Sequence, residues 1–220
     1  MSSPPPPEAP AGLTGAARSA RKRKAILEAA ATLFLRNGYR GTSMDEIAAL
    51  ASVSKQTVYK HFADKERLFS EIVTSAVSEA ADPVYADVLS LEDTGDIEAD
   101  LGGFARRLLG RVIQPQILQL RRLVIGEAGR FPELGRTFYE QGPGRTIAAL
   151  ATAFEGLAAR GALQLDDPRL AAAHFNWLVT SIPLNQAMFL GEDEPLASAE
   201  LDDYADAGVR AFLAAYGQPH

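Results

Sequence analysis

The residues best suited to chemistry lie close together: Lys55, Gln56, Thr57, Tyr59, Lys60 and His61 fall within seven positions. Ammonium groups, a carboxamide, hydroxyls and an imidazole suit a polyanion that also presents hydrogen-bonding edges. Gln56 can make the paired hydrogen bonds that adenine offers, Thr57 can touch a thymine methyl, and Lys55 can reach guanine or phosphate. Tyr59, Lys60, His61 and, further on, Lys65 are better placed for phosphate, which positions a protein on a duplex without specifying sequence. Val58 and Phe62 stand four apart on the other side and would bury. Other chemistries find no foothold. Cysteine is absent, the three histidines (His61, His174, His220) have no metal-ligand spacing, and no nucleophile is placed beside a base. Neither an enzyme nor a metal or cofactor site is expected.

Two short helices must hold this face. Ser43-Met44-Asp45-Glu46 fits a capping box and opens a helix that turns Ile47, Ala48 and Ala51 inward. Ser52-Val53-Ser54 is the turn, and Ser54 caps the next helix, Lys55 to about His61. Thr57 stands where a capping box would have an acid, and a carboxylate there would repel phosphate. Two helices joined by a three-residue turn, the second with a basic and polar outer face, make a helix-turn-helix. Thr42, Ser43 and Ser54, at the starts of the two helices, join the set expected on DNA. Ahead of them the spacing of Ile26, Ala29, Ala30, Leu33 and Phe34 predicts a helix from Arg18 to Arg36, ended at Asn37-Gly38. Its basic start, Arg21-Lys22-Arg23-Lys24, opposes the helix dipole, which favours an arm on the DNA backbone or minor groove carrying Lys22 and Lys24.

Charge divides in the same way. From Arg18 to Arg67 eleven Lys and Arg stand against five Asp and Glu, a net +6, within a chain of net −6 whose remainder therefore carries −12. A basic module joined to an acidic body is expected. Residues 1–17, rich in proline, glycine and alanine, read as a disordered tail. The helix-turn-helix domain is placed at 18–63 and a helical body at 64–220. Asp64 caps a helix running to about Leu89, bent at Pro83. Further helices are expected at 96–113, 116–130, 132–141, 143–160, 168–190 and 198–216, with Pro183 kinking or interrupting the fifth of these. No run of alternating strand residues occurs, so the fold class is all-α. No apolar run spans a bilayer and the first residues lack a signal-peptide core, which points to the cytoplasm and to no membrane partner.

The run AILEAAATLFLRNGYRGTSMDEIAALASVSKQTVYKHFADKERLF, residues 25–69, resembles the TetR family of bacterial regulators. The Gly-Tyr after the first helix, the Thr-Ser before the second and the Val-Ser-Lys…Thr-Val-Tyr…His-Phe…Asp-Lys-Glu…Leu pattern all match. Ser52 departs from it, standing where the family often has glycine. If Ser52 adopts positive φ, the strain is about 1 kcal/mol. Residues 121–154 look like the C-terminal domain of AefR-like members. The resemblance implies an all-helical homodimer, with three N-terminal helices on DNA, a fourth linking to a ligand-binding body, and the last two helices pairing across the two-fold axis. A ligand in the body typically releases the DNA.

In the body, aromatics at helical spacing serve either a core or a cavity. The residues expected at a cavity are Phe104, Leu108, Phe131, Phe138, Tyr139, Phe154, His174, Asn176, Trp177, Met188 and Phe189. The stripes Leu170, Ala171, Phe175, Leu178, Val179, Ile182 and Leu201, Tyr204, Ala205, Val209, Phe212, Leu213 face either a twin or their own domain. DNA geometry favours the twin: a seven-residue recognition helix is only about 10 Å long and touches few bases. Phe175, Leu178, Val179, Ile182, Tyr204, Val209 and Phe212 are therefore expected at a homodimer interface. The expected function is a regulator, more often repressor than activator, released from a palindromic double-stranded operator by a small apolar or amphipathic effector. The alternative is a DNA-binding module whose acidic body docks a protein and holds no small molecule.

Overall fold

The computed structural model describes residues 15–93, 95–190 and 197–218. The chain is all-α and forms two compact units, Met1–Phe69 and Ser70–His220. The first holds α1 (Gly15–Asn37), α2 (Met44–Leu50), α3 (Lys55–His61) and the opening turn of α4 (Lys65–Leu89). Helix α1 begins three residues before Arg18, so Gly15–Ala17 belong to it rather than to a tail. The remainder of the expected tail lies outside the described residues. Ile26, Phe34, Ile47, Val58 and Phe62 bury in this unit. Phe69 lies 5.0 Å from Phe34 and 4.9 Å from Tyr39 between ring centroids, which explains why the unit closes at Phe69 rather than at Ala63. The Asp64 carboxylate accepts the Arg67 amide at 2.7 Å and caps α4.

The second unit holds the rest of α4 with α5 (Ile97–Val112), α6 (Pro115–Glu127), α7 (Pro132–Tyr139), α8 (Arg145–Ala159), α9 (Pro168–Leu190) and α10 (Ser198–Tyr216). Proline opens α6, α7 and α9, where its missing N–H has no partner to lose. Its core gathers four buried phenylalanines, Phe104, Phe154, Phe175 and Phe212. Phe175 meets Phe154 and Phe212 edge to face at 5.7 and 5.2 Å. Helix α9 packs between α8 and α10. Gly208 of α10 permits the close approach, since a Cβ there would lie 3.0 Å from the Leu178 carbonyl oxygen. Arg106 on α5 pairs with Asp206 on α10.

Helices α4 and α9 contain Pro83 and Pro183 and are not interrupted by them. In α9 the lost backbone bond is offset by packing on both sides, because Val179, Pro183 and Leu184 are all buried. Between α7 and α8 a wide turn, Glu140–Gly144, takes Gly142 out of helical geometry (φ −93°, ψ −106°). Among the described residues no helix is long and apolar enough to cross a membrane.

Candidate nucleic-acid interface and cavity

Hydrogen bonds at both ends of α2 fix the start of α3. At its N-terminus Ser43 N–H donates to the Glu46 carboxylate at 2.8 Å, while Ser43 Oγ accepts the Glu46 amide at 3.2 Å. The Ser43 hydroxyl, donating to that carboxylate at 2.7 Å, and then the Ser43 N–H hold the Glu46 carboxyl below its ordinary pKa. At its C-terminus Val53 N–H returns to Ala48 O at 3.0 Å and Ser52 N–H to Ala49 O at 3.1 Å, a Schellman motif. Ser52 takes the left-handed position with φ 54°. The chain then reverses and Ser54 caps α3, its Oγ accepting the Thr57 amide at 3.2 Å.

On α3, Val58 faces the core, as does Phe62 just beyond. Lys55, Gln56, Tyr59 and Lys60 are exposed, with Tyr59 at 45%. Thr57 and His61 are half-buried at the margins. Lys55 Nζ lies 2.8 Å from the Asp45 carboxylate of α2, which raises the lysine pKa. The basic run is helical rather than an extended arm: Lys22 and Lys24 are exposed on α1, Lys24 3.7 Å from Glu28. Arg23 lies over the Phe62 ring at 5.2 Å.

Two of the residues expected on DNA serve the fold instead. Thr42 is buried at 2% exposure, and its hydroxyl lies within donating distance of the carbonyls of Gly38 (2.9 Å) and Leu33 (3.1 Å). Lys65 donates to the carbonyls of Thr42 (2.8 Å) and Tyr39 (3.0 Å), with its ammonium 4.3 Å from the Tyr39 ring centroid. Together they tie the α1–α2 loop to the start of α4.

The second unit contains a cavity of about 70 Å³ walled by α4 to α9. Of the residues expected there, Leu108, Phe138, Asn176 and Trp177 line it. Phe104 and Phe154 are fully buried in the phenylalanine cluster. Phe131 precedes α7 with Arg130 over its ring, and Tyr139 is exposed. Met188 and Phe189 lie beyond the lining. His174 points outward, its Nδ1 2.6 Å from the Tyr216 hydroxyl. Sequence reasoning missed Arg121, whose side chain joins the wall from α6. The available signal was its spacing, three residues from both Leu118 and Val124 on an otherwise apolar face. Of the residues expected to face a twin, Phe175, Val179, Val209 and Phe212 are core. Leu178 and Ile182 are the exposed members, at 38% and 56%, with Tyr204 beside them around a shallow depression.

Residues 26–72 match the model of the bacterial regulatory proteins of the tetR family, and residues 99–218, over half the chain, match the C-terminal domain of AefR-like transcriptional repressors. The chain belongs to the TetR family. It is a DNA-binding transcriptional regulator and not an enzyme. A structure from Mesorhizobium loti MAFF303099, described as a TetR-family transcriptional regulator, is 47% identical with TM-score 0.85, covering 91% of this chain and 99% of the other. The flavonoid-responsive regulator FrrA is 35% identical, TM-score 0.69, covering 91% of this chain and all of the other. The HTH-type transcriptional regulator TcmR of Streptomyces glaucescens is 30% identical over 70% of this chain and 68% of its own length. Other curated relatives match over less: the chain spans 30% of YhgD from Bacillus subtilis (48% identical) and 46% of AcrR from Shigella flexneri (33% identical).

Proposed function

We propose that this TetR-family protein is a cytoplasmic repressor that holds a palindromic operator as a homodimer and releases it when a small amphipathic molecule enters the cavity of the second unit. The α3 face supports base reading by Gln56 and phosphate contact by Tyr59 and Lys60, with Lys22 and Lys24 on α1 as further phosphate contacts. Ser43 and Ser54 belong to this surface through the helix starts they cap. The dimer face is the outward stripe of α9, Leu170, His174, Leu178 and Ile182 at four-residue spacing, joined by Tyr204 of α10. The single observation that carries the effector reading is the cavity within one unit, lined mostly by apolar side chains with a few polar groups, which would widen around an occupant. FrrA, which aligns over nearly the whole chain, responds to flavonoids. The repressor assignment draws on the AefR-like match. A cavity favours a small molecule over a docked protein partner.

Selection of binding sites from random duplex DNA at two salt concentrations tests the reading, because phosphate contacts fade steeply with salt. An inverted repeat that survives the higher salt, bound by two protomers in sedimentation, is the expected result. Binding without a motif that disappears as salt rises would remove the operator from the proposal.

A further inference from the structure

Resting on the effector-responsive reading, the wall of the cavity also indicates what kind of molecule enters it. Arg121 lies over the Phe138 ring, 5.4 Å from its centroid, and its Nε is buried without a hydrogen-bond partner. No carboxylate among the described residues pairs with it. The second arginine at the wall, Arg111, is 3.7 Å from Asp87, an acid that Arg107 also holds at 3.2 Å. Burial lowers the Arg121 pKa, yet a guanidinium stays charged at neutral pH. A partly buried guanidinium whose Nε–H has no acceptor carries a desolvation cost that an incoming acceptor would relieve. Most of the remaining wall is apolar, with Val84, Leu108, Phe138 and Leu184, and Thr146, Asn176 and Thr180 add uncharged polar groups.

We propose that the cavity, which must widen from about 70 Å³ to admit the molecule, binds a small amphipathic monocarboxylate, with its carboxylate on the Arg121 guanidinium and its apolar body against Phe138, Leu108 and Leu184. A carboxylate accepts two parallel guanidinium N–H bonds, and Nε–H is one of the donors left unused. One guanidinium without a carboxylate partner matches one carboxylate. A second carboxylate would need Arg111 as well, and that side chain is already held by Asp87, which it shares with Arg107.

The test is thermal melting of the full chain with cinnamate and with octanoate, each beside its primary amide, read in parallel with displacement of the selected operator. At least one acid should raise the melting temperature, its amide requiring more than about tenfold higher concentration for the same shift. Arg121→Met should melt at or above the wild type without ligand and lose the preference for acid over amide. Arg121→Lys, which keeps the charge but not the fork, should retain part of it and serves as the second variant should Met fail to fold. Equal shifts by acid and amide, persistence of the preference in Arg121→Met, or no shift by either acid would overturn the inference. Displacement of DNA by amides as well as by acids would sink the monocarboxylate and leave the effector reading standing. If operator binding is specific and no compound shifts or displaces, both fail.

Discussion

Replacing Ser52 by glycine should stabilise the first unit by about 0.5–1 kcal/mol. The Schellman motif that ends α2 requires a left-handed residue, and Ser52 supplies it at φ 54°. An L-residue pays roughly 1–2 kcal/mol there relative to the right-handed region, a cost glycine avoids. Against this, glycine adds about 0.4–1 kcal/mol of freedom to the unfolded chain. The serine hydroxyl has no hydrogen bond among the described residues and the side chain is exposed, so little is lost with it. If the chain melts as one body, the midpoint should rise by about 1–4 °C, and by more if the first unit melts separately. Differential scanning calorimetry of Ser52→Gly, Ser52→Ala and Ser52→Val separates the contributions. Alanine should resemble the wild type and valine should melt lowest, because a β-branched side chain suits that region worst. A glycine variant melting at or below the wild type would refute the reasoning, showing that the left-handed serine carries no net strain.

Gln56→Ala should relax sequence preference at one base pair by about 1–3 kcal/mol, while Lys60→Ala should weaken all duplexes evenly and reduce the salt slope by about one; binding-site selection and salt titration read the two. Lys65→Met should lower the melting temperature by the equivalent of about 1–3 kcal/mol, through the lost bonds to the Tyr39 and Thr42 carbonyls, whereas Lys60→Met should leave melting unchanged. Gly208→Val should destabilise the second unit by about 1–3 kcal/mol, because its side chain meets the Leu178 carbonyl and forces α9 and α10 apart; calorimetry checks this. The Glu46 carboxyl titrates below its ordinary value in the folded protein, so its contribution to α2 is present above the unfolded pKa and is lost as pH falls through the folded one. NMR titration of Ser43→Ala should return Glu46 toward the ordinary value.

Helix ends were the most legible feature of the sequence, since they depend on local chemistry: the Ser43–Glu46 box, the Ser54 cap and the Asp64 cap could all be placed from residue type. Side-chain direction was legible only where the apolar stripe is narrow. On α3 one side is polar, so Val58 and Phe62 had one possible orientation. Helix α9 is apolar nearly all round, and spacing gives no phase there. Phe175, Leu178, Val179 and Ile182 were all expected at a dimer face; Phe175 and Val179 lie in the core, while Leu178 and Ile182, on average only about a sixth of a turn away, are the exposed pair. Arg121 escaped notice because a charged residue is ordinarily solvated, and only the three-dimensional packing buries its Nε. Thr42 and Lys65 looked like DNA contacts because polar residues near a recognition helix suit either role, and the carbonyls they satisfy are not visible in one dimension.

The Lys55–Asp45 pair gives α3 a tethered counterion. If the protein slides along arbitrary DNA, Lys55 arrives paired with Asp45 and should contribute less to the release of condensed ions than a bare lysine would. Its attraction is spent only where a phosphate or a guanine edge takes over both the charge and the hydrogen bond that Asp45 supplies. In the proposed complex the acid therefore shortens dwell time on the wrong sites more than on the right one, and a regulator searching a genome gains selectivity by being less sticky.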